Sequence, residues 1–118
     1  MMFKSILIAN RGEIARRIVK SALRLGIKTY AVYSEADKHS LHTKEADVAV
    51  CIGQAESKKS YLNIKRIIEV VRENKIEALH PGYGFLSENY LFAKRVEASG
   101  ITFIGPSWRS IKAMGNKN

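Results

Sequence analysis

Short apolar runs alternate with amphipathic segments along this chain. Residues 5–10 form a nearly continuous apolar run, as in strands that are buried on both faces. From Gly12 or Glu13 the apolar positions take helical spacing, and Gly26 provides the expected helix end. The predicted buried stripe of this helix consists of Ile14, Ile18, Ala22 and Leu25.

The same alternation continues to the end of the chain. Asn63 is a predicted N-cap for a helix whose apolar positions again follow helical spacing, and Ser107 is predicted to start the last helix. Residues 34–47 are predicted to be loop with a short helix. Further strands are predicted at residues 28–33, 48–52, 76–80 and 101–104, and a further helix at 89–99.

Strands separated by helices predict one α/β domain over residues 1–118. Right-handed crossovers would give a Rossmann-like, mainly parallel sheet with helices on both faces. Ligands of such sheets gather beyond the carboxyl ends of the strands. Two loops fall there, at residues 10–13 and 82–89, and we expect them to meet.

Residues 80–89 read HPGYGFLSEN and carry the most unusual local pattern. Gly82 and Gly84 allow a sharp turn and a close approach of a ligand to the backbone. Ser87 is a candidate N-cap for the following helix, whose first amides could receive a small anion or a polar ring. The alternative is a plain strand-to-helix turn with a capping serine.

Composition excludes several classes of protein. The formal net charge of +9 invites a nucleic-acid interpretation, but the basic residues are spread over several predicted helices without interleaved aromatics. The apolar runs are too short to span a bilayer, and the N-terminus lacks the features of a signal peptide. The chain has a single cysteine, Cys51, so it cannot form an internal disulfide, which is typical of a reducing compartment. Cys51 lies in an apolar run and is expected to be buried. Neither nucleic acid nor a membrane is therefore an expected partner.

Other chemistry has little support in the sequence. The loop at residues 10–13 contains one glycine where a dinucleotide fingerprint has three, which argues against NAD or FAD. His39 and His42 lack nearby cysteines or carboxylates at ligand spacing, so no metal site is proposed and both are expected at the surface or at a helix end. Arg11 and Glu13 are expected to join the first turn to neighbouring loops.

Taken together, the motifs resemble the N-terminal domain of the biotin carboxylase component of biotin-dependent carboxylases. The sequence of residues 31–37 is more similar to that of the alpha subunits of propionyl-CoA and methylcrotonyl-CoA carboxylases than to that of the stand-alone bacterial component. The segments that carry the resemblance are IANRGEIA at 8–15, AVYSEAD at 31–37, SYLNI at 60–64, HPGYGFLSEN at 80–89, FIGP at 103–106 and MGNK at 114–117.

The resemblance implies an ATP-dependent ligase that carboxylates biotin with bicarbonate for an acyl-CoA carboxylase. It implies ATP, Mg²⁺ and biotin as cofactors, and as partners the remaining ATP-grasp domains, a biotin carrier domain, a carboxyltransferase subunit and a possible second copy. Most catalytic groups of the family belong to those other domains, so the isolated chain is expected to be inactive. The expected compartment is the cytoplasm, or the mitochondrial matrix in a eukaryote.

The resemblance also assigns site residues, none of them catalytic and none of them metal-binding. Lys117 matches a lysine that contacts the phosphates of ATP, although Asn116 stands where the family has aspartate. Tyr83 and Gly84 match the loop beside biotin and bicarbonate, and Glu88 and Asn89 are expected to support it. The alternative is a non-catalytic Rossmann-like binding or interaction module that uses the same surface.

Overall fold

A computed structural model describes residues 3–115 of the chain. Within that range a single sheet is formed by β1 (Ser5–Ile8), β2 (Lys28–Ser34), β3 (Val48–Gly53), β4 (Ala78–His80) and β5 (Thr102–Phe103). The helices are α1 (Gly12–Arg24), α2 (Leu41–Glu45), α3 (Ile64–Asn74), α4 (Tyr90–Ala98) and α5 (Trp108–Gly115), with 3₁₀ turns at Glu35–Asp37 and Ser57–Lys59.

All paired strands are parallel, in the order β3-β2-β1-β4-β5. This confirms the predicted Rossmann-like sheet. The chain adds β2 and β3 on one side of β1 and then returns to add β4 and β5 on the other. The order therefore reverses between β1 and β4, and the loops that follow these two strands flank the crevice where such sheets bind ligands.

Helices cover both faces of the sheet, as predicted. Alternate residues of β1 point to opposite faces: Ile6 and Ile8 pack in a cluster with α1, while Leu7 packs in a cluster with α3 and α4. A strand buried on both faces is apolar at most of its positions, which explains the nearly continuous apolar run that predicted β1.

The buried stripe of α1 differs from the prediction. Ala15, Val19 and Ala22 are the buried positions, whereas Leu25 lies beyond the helix and is 60% exposed. Ile14 and Ile18 are only half-buried and line surface clefts, although Ile18 still packs against the cluster of Ile6 and Ile8.

The helix caps are partly as predicted. Asn63 caps α3, since its side-chain oxygen accepts from the amide of Arg66 at 3.1 Å. Ser87 was the wrong residue for the N-cap of α4: that helix begins at Tyr90, and the Asn89 oxygen accepts from the amide of Phe92 at 3.0 Å. The amide of Ser87 instead donates to the Gly84 carbonyl within the loop.

The structure contradicts the prediction that Cys51 is buried and bears out only part of the prediction for His42. Cys51 is exposed because β3 is an edge strand whose alternate positions face solvent. His42 lies in the short helix α2, so the helix-end alternative holds, but it is fully buried and not at the surface, and its Nε2 lies 3.1 Å from the carbonyl oxygen of Val32. Burial lowers the pKa of His42 and so favours the neutral ring.

Candidate functional site

The loops after β1 and β4 meet at the carboxyl edge of the sheet, which confirms the prediction for residues 10–13 and 82–89. The buried side chain of Asn10 makes the contact, because its Nδ2 donates to the carbonyl oxygens of Pro81 at 2.9 Å and Tyr83 at 2.6 Å. Its Oδ1 accepts from the amide of Arg11 at 2.8 Å. The Asn10 side chain thus connects the two loops across the switch point of the sheet.

Gly82 lies directly against the side chain of Asn10. Its φ is +67°, and a Cβ built there would lie 2.5 Å from Asn10 Nδ2. The Gly82 amide donates to Nδ1 of His80 at 3.0 Å, which requires an unprotonated Nδ1. Burial lowers the pKa of His80 and favours the neutral ring that can accept this bond.

The residues next to Gly82 are accessible to a ligand. Tyr83 is 76% exposed, and its side chain borders a cleft of about 240 Å³ between α1 and the end of β4. A Cβ added at Gly84 would meet nothing within 4 Å, so the backbone here is open. The residues that line the cleft are Ile14, Arg17, Ile18, Ser21, His80 and Tyr83.

The other predicted site residues lie at the end of the Tyr83 loop or outside the described residues. Glu88 is exposed at the end of the loop, and Asn89 is used as the cap of α4. Lys117, the predicted contact of the ATP phosphates, and Asn116 lie outside the described residues.

Arg11 joins the first turn to a neighbouring segment, as predicted. Its Nε and Nη2 donate to the two carboxylate oxygens of Asp37, each at 2.6 Å. Asp37 is buried, and its carboxylate also accepts from the Tyr61 hydroxyl at 2.7 Å. Glu13 instead contacts Arg16 of its own helix at 3.4 Å, and Arg16 in turn bonds Glu45 of α2.

This partly buried network shifts the pKa values of its members. Hydrogen bonds from the Arg11 guanidinium lower the pKa of Asp37 to about 2, with the Tyr61 hydroxyl adding to the effect. Burial, reinforced by the bond to Asp37, raises the pKa of Tyr61. At neutral pH the network therefore consists of a carboxylate, a guanidinium and an intact phenol. Sequence reasoning did not identify Asp37 and Tyr61 as partners of Arg11. A signal for Asp37 was available, because it follows the carboxyl end of β2, and the loops at 10–13 and 82–89 were predicted to meet because they follow the carboxyl ends of their own strands.

The described residues do not offer a complete cofactor site. Residues 3–115 contain no group of three His, Cys, Asp or Glu side chains that could hold a metal ion. They do fit one flat polar ring, because the Tyr83 loop presents an exposed aromatic face beside open backbone at Gly84. Among the same residues, no helix has the length and apolar character needed to cross a membrane.

An open parallel sheet with two loops joined at its switch point is the architecture of the α/β domains that bind ligands in that crevice. Residues 2–111 match the model of the biotin carboxylase N-terminal domain. The chain belongs to this family.

Relatives of known name agree with the family assignment. The chain is 55% identical over 115 residues to the mitochondrial propionyl-CoA carboxylase alpha chain of Mus musculus, covering 98% of this chain and 16% of that one. It is 57% identical over 116 residues to biotin carboxylase 2 of Bacillus subtilis (strain 168), covering 98% and 26%. The chain thus spans about a sixth to a quarter of the length of these relatives.

Solved structures show the same fold. The biotin carboxylase domain of a thermophilic 2-oxoglutarate carboxylase, bound to bicarbonate, superposes with a TM-score of 0.94 at 50% identity and covers 99% of this chain and 26% of that one. The Kluyveromyces lactis urea carboxylase superposes with a TM-score of 0.96 at 46% identity, with coverage of 98% and 10%.

Proposed function

We propose that this chain is the N-terminal domain of an ATP-dependent biotin carboxylase. In that reaction ATP phosphorylates bicarbonate to carboxyphosphate, and the carboxyl group passes to N1′ of biotin, with release of phosphate and ADP. The observation that carries the proposal is the Tyr83 loop, joined to the first turn by Asn10 at the switch point of the sheet. Such a crevice is where open α/β sheets bind ligands.

The chain's own residues would bind and orient. Tyr83 offers an exposed aromatic face to the ureido ring of biotin, and the open backbone at Gly84 allows the ring to approach. Glu88 and Asn89 would support the loop, Asn89 by capping the helix that follows it. Lys117 would bind the phosphates of ATP as a point charge.

Further domains would complete the enzyme. A 2-oxoglutarate carboxylase biotin carboxylase domain is a dimer in complex with MgADP and bicarbonate, and this chain covers 26% of it at 50% identity. We assign to the parent protein an ATP-grasp remainder that holds ATP and Mg²⁺, a biotin carrier domain, a carboxyltransferase subunit and assembly as a dimer. The cytoplasm, or the mitochondrial matrix in a eukaryote, is the proposed compartment.

A hybrid enzyme tests this function directly. Residues 1–118 would replace the matching N-terminal part of Bacillus subtilis biotin carboxylase 2, which is 57% identical over the aligned region. We expect ADP formation that depends on both bicarbonate and free biotin. Neither residues 1–118 alone nor the Bacillus remainder alone should show it.

A folded hybrid without turnover would contradict the proposal. A non-catalytic binding module would give this result, because its loop would not bind and orient biotin for the reaction in the other domains. If residues 1–118 alone turned over ATP, and a substitution within them abolished this activity, the proposal that catalysis needs the other domains would be wrong.

A further inference from the structure

Two neighbouring residues, Asn10 and Arg11, reach the Tyr83 loop by separate routes. The first route is direct, since Asn10 Nδ2 donates to the Tyr83 carbonyl oxygen at 2.6 Å. The second passes through Asp37 and Tyr61 and ends on Phe85. We call the set Asn10, Arg11, Asp37, Tyr61 and Phe85 the loop clamp.

The second route is continuous from the Arg11 guanidinium to the Phe85 ring. Arg11 holds both oxygens of Asp37 at 2.6 Å, and the Tyr61 hydroxyl donates to Oδ2 of Asp37 at 2.7 Å. The Tyr61 hydroxyl also accepts from the amide of Ser34 at 3.2 Å. The rings of Tyr61 and Phe85 lie 5.2 Å apart between centroids, at 34°. These bonds fix the position of the Tyr61 ring, and the Phe85 ring packs against it.

The two routes end on either side of Gly84. Phe85 needs its support, because its φ is +46°, in the left-handed region that residues other than glycine rarely adopt. Such a conformation persists only where surrounding contacts fix it. Contact with Tyr61 and with the larger core cluster supplies those contacts. Arg11, Asp37, Tyr61 and Phe85 also line one cleft of about 180 Å³.

We infer that Asp37 and Tyr61 are positioning residues for the loop that presents Tyr83, acting through Phe85 and without touching the substrate. The inference rests on the proposed function, in which Tyr83 faces biotin. The clamp sets the backbone on both sides of the open Gly84, and so sets where the exposed Tyr83 ring can lie.

The substitution Tyr61→Phe tests the inference, because it deletes the hydroxyl and leaves the ring beside Phe85. In the hybrid enzyme we expect the KM for free biotin to rise about fivefold, the size expected when one buried hydrogen bond is lost. The KM for ATP should not change. Arg11→Lys is the second variant: it keeps the charge of a half-exposed side chain but cannot make the paired bonds to Asp37, and it should shift biotin KM in the same direction.

A matched control separates positioning from general loss of stability. Asn63→Ala removes the cap of α3, a bond that lies outside the clamp, and should lower the melting temperature without moving the KM for biotin. Hydrogen exchange gives a second readout. In Tyr61→Phe and Arg11→Lys the amides of Gly82, Ser87 and Asn89, bonded within the loop, should exchange faster, and in Asn63→Ala they should not.

The two proposals fail in different ways. If the unsubstituted hybrid does not carboxylate biotin, the proposed function fails, and loop exchange alone decides whether the clamp exists. If that hybrid is active but both clamp variants keep the biotin KM and the loop exchange of the parent, the positioning role is overturned. Equal rises in the KM for biotin and for ATP would also overturn it, as would a biotin KM shift of the same size in Asn63→Ala.

Discussion

The side-chain amide of Asn10 lies 2.6 Å from the carbonyl oxygen of Tyr83, a residue 73 positions later in the chain. Asn10 is buried, and it bonds the Pro81 carbonyl with the same nitrogen. A buried amide that satisfies two loop carbonyls is difficult to replace, since neither water nor a neighbouring group can take over its bonds. This contact links the first turn of the fold to the candidate site.

Asn10→Asp should therefore be strongly destabilising. The carboxylate is nearly the same shape but presents only acceptors to the carbonyl oxygens of Pro81 and Tyr83. We expect the free energy of unfolding to fall by about 2 kcal/mol in urea titrations at pH 7. Asn74→Asp is the control, because the exposed Asn74 donates to the Val70 carbonyl and should change stability by less than about 0.5 kcal/mol. Equal losses in both variants would contradict the role of Asn10.

Alanine substitutions at Gly82 and at Gly84 should lower the stability of the fold by different amounts. Gly82 and Gly84 both have positive φ, so each alanine variant should lose about 1–2 kcal/mol from backbone strain. At Gly82 the new Cβ would also lie 2.5 Å from Asn10 Nδ2, whereas at Gly84 it would meet nothing. Gly82→Ala should therefore cost about 1–3 kcal/mol more than Gly84→Ala, as measured by urea unfolding. Indistinguishable midpoints would show that Asn10 moves aside freely.

The architecture was predictable from sequence because each layer leaves a separate pattern. Continuous apolar runs marked strands buried on both faces, and helical spacing marked the covering helices. The meeting of the two loops followed from the rule that parallel strands end at one edge. The prediction of individual helix caps was less accurate. Ser87 and Asn89 can both cap a helix, and only the start of α4 at Tyr90 selects Asn89.

Burial at an edge strand and long-range polar contacts were beyond sequence reasoning. Cys51 lies in an apolar run, but exposure depends on β3 having a neighbour on one side only. Tyr61 is buried, and its hydroxyl bonds Asp37, 24 positions away, which no local pattern shows.

Asp37 should make the fold sensitive to acid. Its pKa is about 2 in the folded state against a reference value of 3.8, chiefly because of the bonds from Arg11. A lowered folded pKa stabilises the fold above the unfolded value, so this contribution is complete above about pH 5 and is lost as the pH falls toward 2. The shift corresponds to about 2 kcal/mol.

The variant Asp37→Asn isolates that contribution. It should be less stable than the parent by about 2 kcal/mol at pH 7, and the difference should shrink steadily as urea titrations are repeated from pH 5 down to pH 2. A difference that stays constant over this range would mean that the Arg11 bonds do not favour the charged form of Asp37.

Tyr83→Ala in the hybrid enzyme should impair the use of biotin more than the use of ATP. Tyr83 is 76% exposed, so its loss should leave the fold nearly unchanged. If the ring packs flat against the ureido group, its removal takes away about 1 kcal/mol of contact free energy, a several-fold loss in kcat/KM for free biotin. Steady-state kinetics with biotin and ATP varied separately measure the two effects.

Three variants complete the test of Tyr83. Tyr83→Phe keeps the aromatic face and should retain most of the biotin response, while Leu91→Ala removes another exposed apolar side chain, on α4, and should change neither substrate. Lys117→Ala should show the opposite pattern, with a raised KM for ATP and an unchanged response to biotin, because an ammonium group suits the phosphates. An unchanged biotin response in a well-folded Tyr83→Ala enzyme would remove the tyrosine from the site. An unchanged ATP response in Lys117→Ala would do the same for the lysine.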